Sequence, residues 1–342
     1  MTCGGRGRLG RGEGDRLTCR GLPAAGERDT RRHHGDMHMQ LGTGSYTFDW
    51  VNDWAKIPDG VTYGCTHGVV TDKDDNVLIY NQSENAVLRF DREGNYLGAW
   101  GKQYAAGAHG MLLHVEGGTE YLYLVDYELQ ETHKTTLDGE VIWKIGIPDR
   151  KDIYPTAENF KPTDVAVAPN GDVYVTDGYG ASYVHHYDAD QKYVASYGTP
   201  GDGVGELACP HGISVDTRGP EAVLYIADRG NNRIQVFSLT GEPMRIETDE
   251  MRMPCSFFQF GDDIYVPDLQ SRVSIYGKDD KLITHLGDAP GRWDVEGWPD
   301  IPMELRVAGK FSSPHGVCVD SAGDVYCVEW CPQGRISKMK RA

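Results

Sequence analysis

The chain has 342 residues, a formal net charge of −17 and 43 glycines. An acidic excess of this size leaves no face suited to neutralising phosphates, so nucleic acid is excluded as a partner, and solubility alone accounts for the charge. No apolar run reaches the ~18 residues of a membrane-spanning helix, so no membrane association is expected.

Residues 1–40 differ from the rest: they are rich in Gly and Arg, include Arg31-Arg32-His33-His34, and carry few large apolar side chains. They read as a disordered tail, or as a segment upstream of a start at Met37 or Met39. The apolar core of a secretory signal is missing, so a cytoplasmic location is expected. The eight cysteines form neither a spaced disulfide framework nor a CxxC knuckle, and reduced, buried thiols are expected.

From residue 41 onward, Val/Ile/Tyr-rich runs separated by Gly/Asn/Asp turns predict many short strands. The run Ser45–Val51 comes first, and a three-part phrase then recurs six times. Blade 1 reads THGVVTD from Thr66, NVLIYN to Asn81 and AVLRFD to Asp91. Blade 2 reads AHGMLLHV from Ala108 and YLYLVD to Asp126, with a third strand before Leu137. Blade 3 reads PTDVAVAP from Pro162, DVYVTD to Asp177 and YVHHYD to Asp188. Blade 4 reads CPHGISVD from Cys209, VLYIAD to Asp228 and RIQVF to Phe237. Blade 5 reads PCSFFQF from Pro254, DIYVPD to Asp268 and RVSIYG to Gly277. Blade 6 reads PHGVCVD from Pro314, DVYCVE to Glu329 and RISKMK to Lys340.

Six such units at roughly 42–60-residue intervals predict an all-β, six-bladed β-propeller of the NHL-repeat type over residues 41–342. Most blades end in a fourth strand, such as Tyr96–Trp100. Blade 6 runs out of chain before its own, and Ser45–Val51 is placed to supply it, which removes an open edge. The insertions Ile147–Asn159 and Asp288–Lys310 are candidate rim loops, with Trp293 and Trp298 on the second. Asp126, Asp177, Asp228 and Asp268, at the ends of second strands, are expected to bond turn amides.

The first strand of each blade lines the central axis, so one repeat position becomes a ring: His67, His109, Thr163, His211, Cys255 and His315. Alternate blades stand about 120° apart. The even blades therefore contribute His109, His211 and His315 from three walls, a set that fits a catalytic zinc with one open position. The bland alternative is that each His-Gly pair caps a turn through a backbone carbonyl. His67 is expected to be a solvated channel residue, with a fourth metal ligand or a proton shuttle as the alternatives, and Cys255 an inert buried thiol rather than a group that approaches the metal. His114, His133, His185, His186 and His285 are expected on outer strands or turns.

The segment from Phe160 to Val167, continuing through Val173–Gly180 to Cys209-Pro-His-Gly-Ile-Ser-Val215, resembles the peptidyl-α-hydroxyglycine α-amidating lyases. The likeness spans roughly residues 60–340 and is strongest in blades 3 and 4 and around Ser313-Pro-His315. It implies a zinc-dependent propeller that cleaves the C–N bond of a carbinolamide, giving an amide and glyoxylate. It also implies zinc on His109, His211 and His315, with Tyr179 as the base. A nearby cation would favour the phenolate. Two positions depart from the family: Gln82 stands where a catalytic arginine is expected, and Gly316 replaces an aspartate that helps hold a structural calcium. Arg229 is the candidate replacement for the missing charge, with Lys161 and Arg272 as further options.

The expected function is thus a zinc-dependent lyase or hydrolase, acting as a monomer on a small or peptide-like hydroxylated substrate. The alternative is a non-catalytic NHL propeller that binds a partner or ligand. A calcium-dependent lactonase-like site fits less well, because calcium takes oxygen ligands and this ring is rich in imidazole.

Overall fold

Each recurring phrase folds as antiparallel neighbours of one sheet, and the sheets stand around an axis with their faces packed together. The second strands carry the clearest mark of this burial on both faces. Val77–Asn81, for example, is a continuous run of buried residues rather than an alternating one. The structure, a computed structural model, describes residues 39–248 and 250–342. The expected disordered tail therefore lies outside the described residues except at its end, where Gln40 already belongs to a strand.

Five four-stranded blades and one five-stranded blade are present among the described residues. The chain is an all-β, six-bladed propeller, as the repeat predicts. The last blade closes as expected: Tyr46–Val51 pairs antiparallel with Arg335–Arg341, with Phe48 opposite Arg341 and Val51 opposite Lys338. Gln40–Thr43 adds an unforeseen fifth strand outside it. Phe48 is fully buried and shares a cluster with Met339, Val325, Val273 and Leu286. Closure thereby also welds blade 6 to blade 5.

The acids that end the second strands do structural work of a particular kind. Each accepts amide protons from the segment that delivers the axial residue, or from its own turn. Asp177 accepts from Lys161, Asp228 from Ala208, Asp268 from Met253, and Glu329 from Ser312 and Ser313. Asp126 instead accepts from Glu128 and Leu129 of its own turn. Asp228 is fully buried and also holds Arg233 Nε at 2.6 Å. Asp228→Ala removes one partner of a buried ion pair and frees the amide before His211. It is expected to destabilise the fold by roughly 3–5 kcal/mol in denaturant titration.

The insertions pack locally. Tyr154 of the first is buried, with its hydroxyl on Asp177 and His185. Trp298 of the second donates to the Ser312 carbonyl and meets Trp330 edge-on, while Arg252 lies over Trp293. Cys209, Cys255, Cys318, Cys327 and Cys331 are free and buried, as expected of reduced thiols. Cys65 departs from that expectation, being disulfide-bonded. No helix among the described residues is long and apolar enough to cross a membrane.

Candidate metal centre

The ring residues reach the axis through a backbone irregularity. In blades 1, 2, 4 and 6 the register between first and second strands shifts across His67, His109, His211 and His315. A bulge leaves one residue unpaired and re-aims its side chain, here towards the axis. Blade 5 carries the same one-residue shift, between the Pro254–Asp268 bridge and the Phe258–Tyr265 pair, and in blade 3 the ladder begins only after Thr163, at Asp164.

The four imidazoles meet at the centre. Ring centroids lie 4.7 Å apart for His109 and His211, 4.7 Å for His211 and His315, and 4.9 Å for His109 and His315. Each of these three turns Nδ1 to the backbone carbonyl at the equivalent position of the next blade. His109 faces Thr163 O at 2.6 Å, His211 faces Cys255 O at 2.8 Å and His315 faces His67 O at 3.0 Å. A carbonyl only accepts, so Nδ1 carries the proton and Nε2 presents its lone pair. The carbonyl-capping alternative is thus correct for one nitrogen, and it leaves the other available.

The glycine after each histidine has the same cause. A Cβ at Gly110, Gly212 or Gly316 would lie 2.6, 2.2 or 2.5 Å from the Thr163, Cys255 or His67 carbonyl oxygen. The His-Gly pair is the sequence form of one interblade contact. It also explains why no aspartate fits at Gly316 in this backbone.

Burial is the largest influence on these rings. It lowers the pKa of His109 to about 3 and those of His211 and His315 well below the usual imidazole value, with Arg229 adding to each effect. Neutral imidazoles are the form that binds a metal. Two nitrogen/sulfur groupings could hold an ion, each with ligand atoms within 4.8 Å of one another: His67, His109 and His315, and His211, Cys255 and His315. The expected trio is not one of these tight sets. The Tyr179 hydroxyl stands between two of its members, 3.1 Å from His109 Nε2 and 3.1 Å from His211 Nε2.

Tyr179 and Arg229 converge as the sequence implies. Arg229 is buried, its Nη2 lies 3.5 Å from the Tyr179 hydroxyl and 3.5 Å from Cys209 Sγ, and its guanidinium covers the Tyr179 ring. Burial raises the Tyr179 pKa and Arg229 opposes it without prevailing, so the expected phenolate is not favoured by these residues alone. Lys161 and Arg272 are engaged elsewhere, with Glu128 and Asp268. Gln82 donates to the Tyr127 hydroxyl, and Tyr127 packs edge-on against both Tyr179 and His109. Sequence reasoning passed over Tyr127, although it follows Asp126 just as Arg229 follows Asp228.

A cavity of about 560 Å³ begins at the ring and runs between the inner strands past Met111, Val165, Ile213 and Phe257. His114 lines it, which corrects its expected place on an outer strand or turn: it lies on the long inner strand Ala108–Glu116. Tyr179, Tyr127 and Arg229 are not among the lining residues. Asp164 lines the cavity, and burial pushes its carboxyl up to about 7. Its folded pKa exceeds the unfolded one, so the associated stability is full below about pH 4 and is lost as pH rises through 7. Asp164→Asn should therefore raise the melting temperature at pH 8 and leave it unchanged near pH 4. Screening by channel water keeps the gain to the order of 2–3 kcal/mol.

The comparisons agree with this architecture. Residues 207–237 match the NHL repeat family. The chain is a six-bladed β-propeller with one segment that matches the NHL repeat. Human NHL repeat-containing protein 3 is 27% identical over 201 residues, covering 55% of this chain and 56% of that protein. A probable peptidyl-α-hydroxyglycine α-amidating lyase of Caenorhabditis elegans is 36% identical over 101 residues, covering 26% of this chain and 28% of that protein. The chain thus spans about half the length, or less, of these curated relatives. Among solved structures, a gluconolactonase from Xanthomonas campestris superposes with a TM-score of 0.62 at 12% identity, over 90% of this chain and 96% of the other. That match supports the fold alone.

Proposed function

We propose that the chain is a zinc-dependent lyase or hydrolase for a small hydroxylated substrate. In its sharpest form it cleaves the C–N bond of an α-hydroxyglycine-type carbinolamide. The observation that carries this reading is the threefold pattern at the axis: three buried imidazoles, each with Nδ1 tied to the next blade's carbonyl and Nε2 turned inward. His315 Nε2 has no hydrogen-bond partner among the described residues. At Tyr179 one phenolic proton faces two imidazole lone pairs. A donor set that is short of protons suits a cation.

In this reading His109, His211 and His315 hold the ion, and zinc supplies Lewis-acid polarisation of a substrate oxygen. Tyr179 would act as the phenolate, its own proton having passed to solvent once a cation is bound beside it, and its Oη would then take the proton of the substrate hydroxyl. That proton is returned to the amide nitrogen as the C–N bond breaks, so the hydroxyl-bearing carbon becomes the aldehyde of glyoxylate and the nitrogen leaves as the amide. Arg229, beside Tyr179, offsets the transient negative charge, a role the neutral Gln82 cannot fill. The nematode relative's name supports the lyase form. The test is metal quantification of the purified chain together with glyoxylate release from a small α-hydroxyglycine amide. Zinc near one equivalent with turnover supports the proposal. A metal-free, inactive protein would overturn it in favour of a binding scaffold.

A further inference from the structure

We infer that His67 is a fourth metal ligand, so that the ion sits among four imidazoles rather than three and an open position. The inference rests on the proposed metal centre and adds a residue to it. His67 occupies the same register shift that aims the other three rings at the axis. It is 4% exposed, which corrects its expected place as a solvated residue. Neither ring nitrogen has a hydrogen-bond partner among the described residues. An imidazole held in that state is costly unless something accepts its lone pair.

The partners for a shared ion are in place. The His67 ring lies 4.8 Å from that of His109 and 4.6 Å from that of His315. The three residues' ligand atoms form one of the two tight sets at the axis. The odd blades show that the imidazole is not needed for the backbone. Positions 67, 163 and 255 each lend a carbonyl to the neighbouring histidine. Thr163 and Cys255 do so with no imidazole, and their own side chains bond within the walls. Only His67 combines the odd-blade carbonyl with an even-blade imidazole. Four nitrogen donors remain compatible with zinc and other first-row ions, and a substrate oxygen would then enter as a fifth ligand.

X-ray absorption on the zinc-loaded wild-type chain gives the imidazole count directly, and His67→Ala and His67→Phe test its origin. Alanine keeps the carbonyl on which His315 depends, and phenylalanine also refills the space. Four imidazoles are expected in the wild type and three in both variants. Zinc affinity should fall more than about a hundredfold, beyond the ~10–100-fold cost of losing an outer-shell partner. Three imidazoles in the wild type, or variants that keep its affinity and spectrum, would overturn the role of His67 and leave the three-histidine centre standing. A wild type that binds no zinc would overturn the centre itself.

Discussion

His211→Ala is expected to lower zinc affinity by more than about a hundredfold and to abolish turnover, while the propeller remains folded. The ring of His211 is bound to the protein by two interblade contacts, Nδ1 to the Cys255 carbonyl and Nε2 to the Tyr179 hydroxyl. Losing it leaves a buried acceptor unpaired, a cost of about 1–3 kcal/mol that a core of six blades can absorb. The effect on the ion is larger, because His211 joins the axis from blade 4 and no other imidazole stands on that wall. Its nearest ring neighbours, His109 and His315, come from blades 2 and 6. Equilibrium dialysis against zinc, with circular dichroism as the check on folding, measures both quantities. Full occupancy in the variant would show that the ion is held by the other tight grouping, His67 with His109 and His315.

Most of the architecture was legible because a propeller repeats its reasons. The phrase of three strands, the acid at the end of the second and the His-Gly at the start of the first each recur where one contact recurs. Closure by residues 45–51 was legible from a missing fourth strand. What the sequence concealed depends on the phase of side chains within a bulge. One-letter spacing puts His67 and His109 at equivalent positions, but it does not tell which nitrogen is tied to a carbonyl. The burial of His67, with neither ring nitrogen bonded, was not legible for that reason. His114 was misplaced because the inner strand of blade 2 runs on to Glu116, further than its siblings. Arg229 and Arg233 illustrate the same limit. Both stand in one turn, yet Arg233 is locked to Asp228 and the loop carbonyls of Asp202 and Gly203, while Arg229 reaches the Tyr179 hydroxyl.

Tyr179→Phe is expected to lower kcat by ~10²–10⁴-fold while zinc content, imidazole count and KM stay near wild type. That range corresponds to about 2.7–5.4 kcal/mol of transition-state stabilisation. The hydroxyl is the only part removed, and it contacts three groups: His109 Nε2, His211 Nε2 and Arg229 Nη2. Loss of these neutral or weakly aligned bonds costs the fold only about 0.5–1.5 kcal/mol, so inactivity would not be explained by unfolding. If the phenol served only to position the imidazoles, its removal would instead shift zinc affinity and spectrum. Tyr127→Phe is the matched control: that hydroxyl receives the Gln82 amide, and its ring lies 5.8 Å from Tyr179. It should change turnover by a few-fold at most. Activity in Tyr179→Phe within a few-fold of wild type would remove Tyr179 from the chemistry. The proton would then have to leave from the other side of the ring, where the cavity and Asp164 lie.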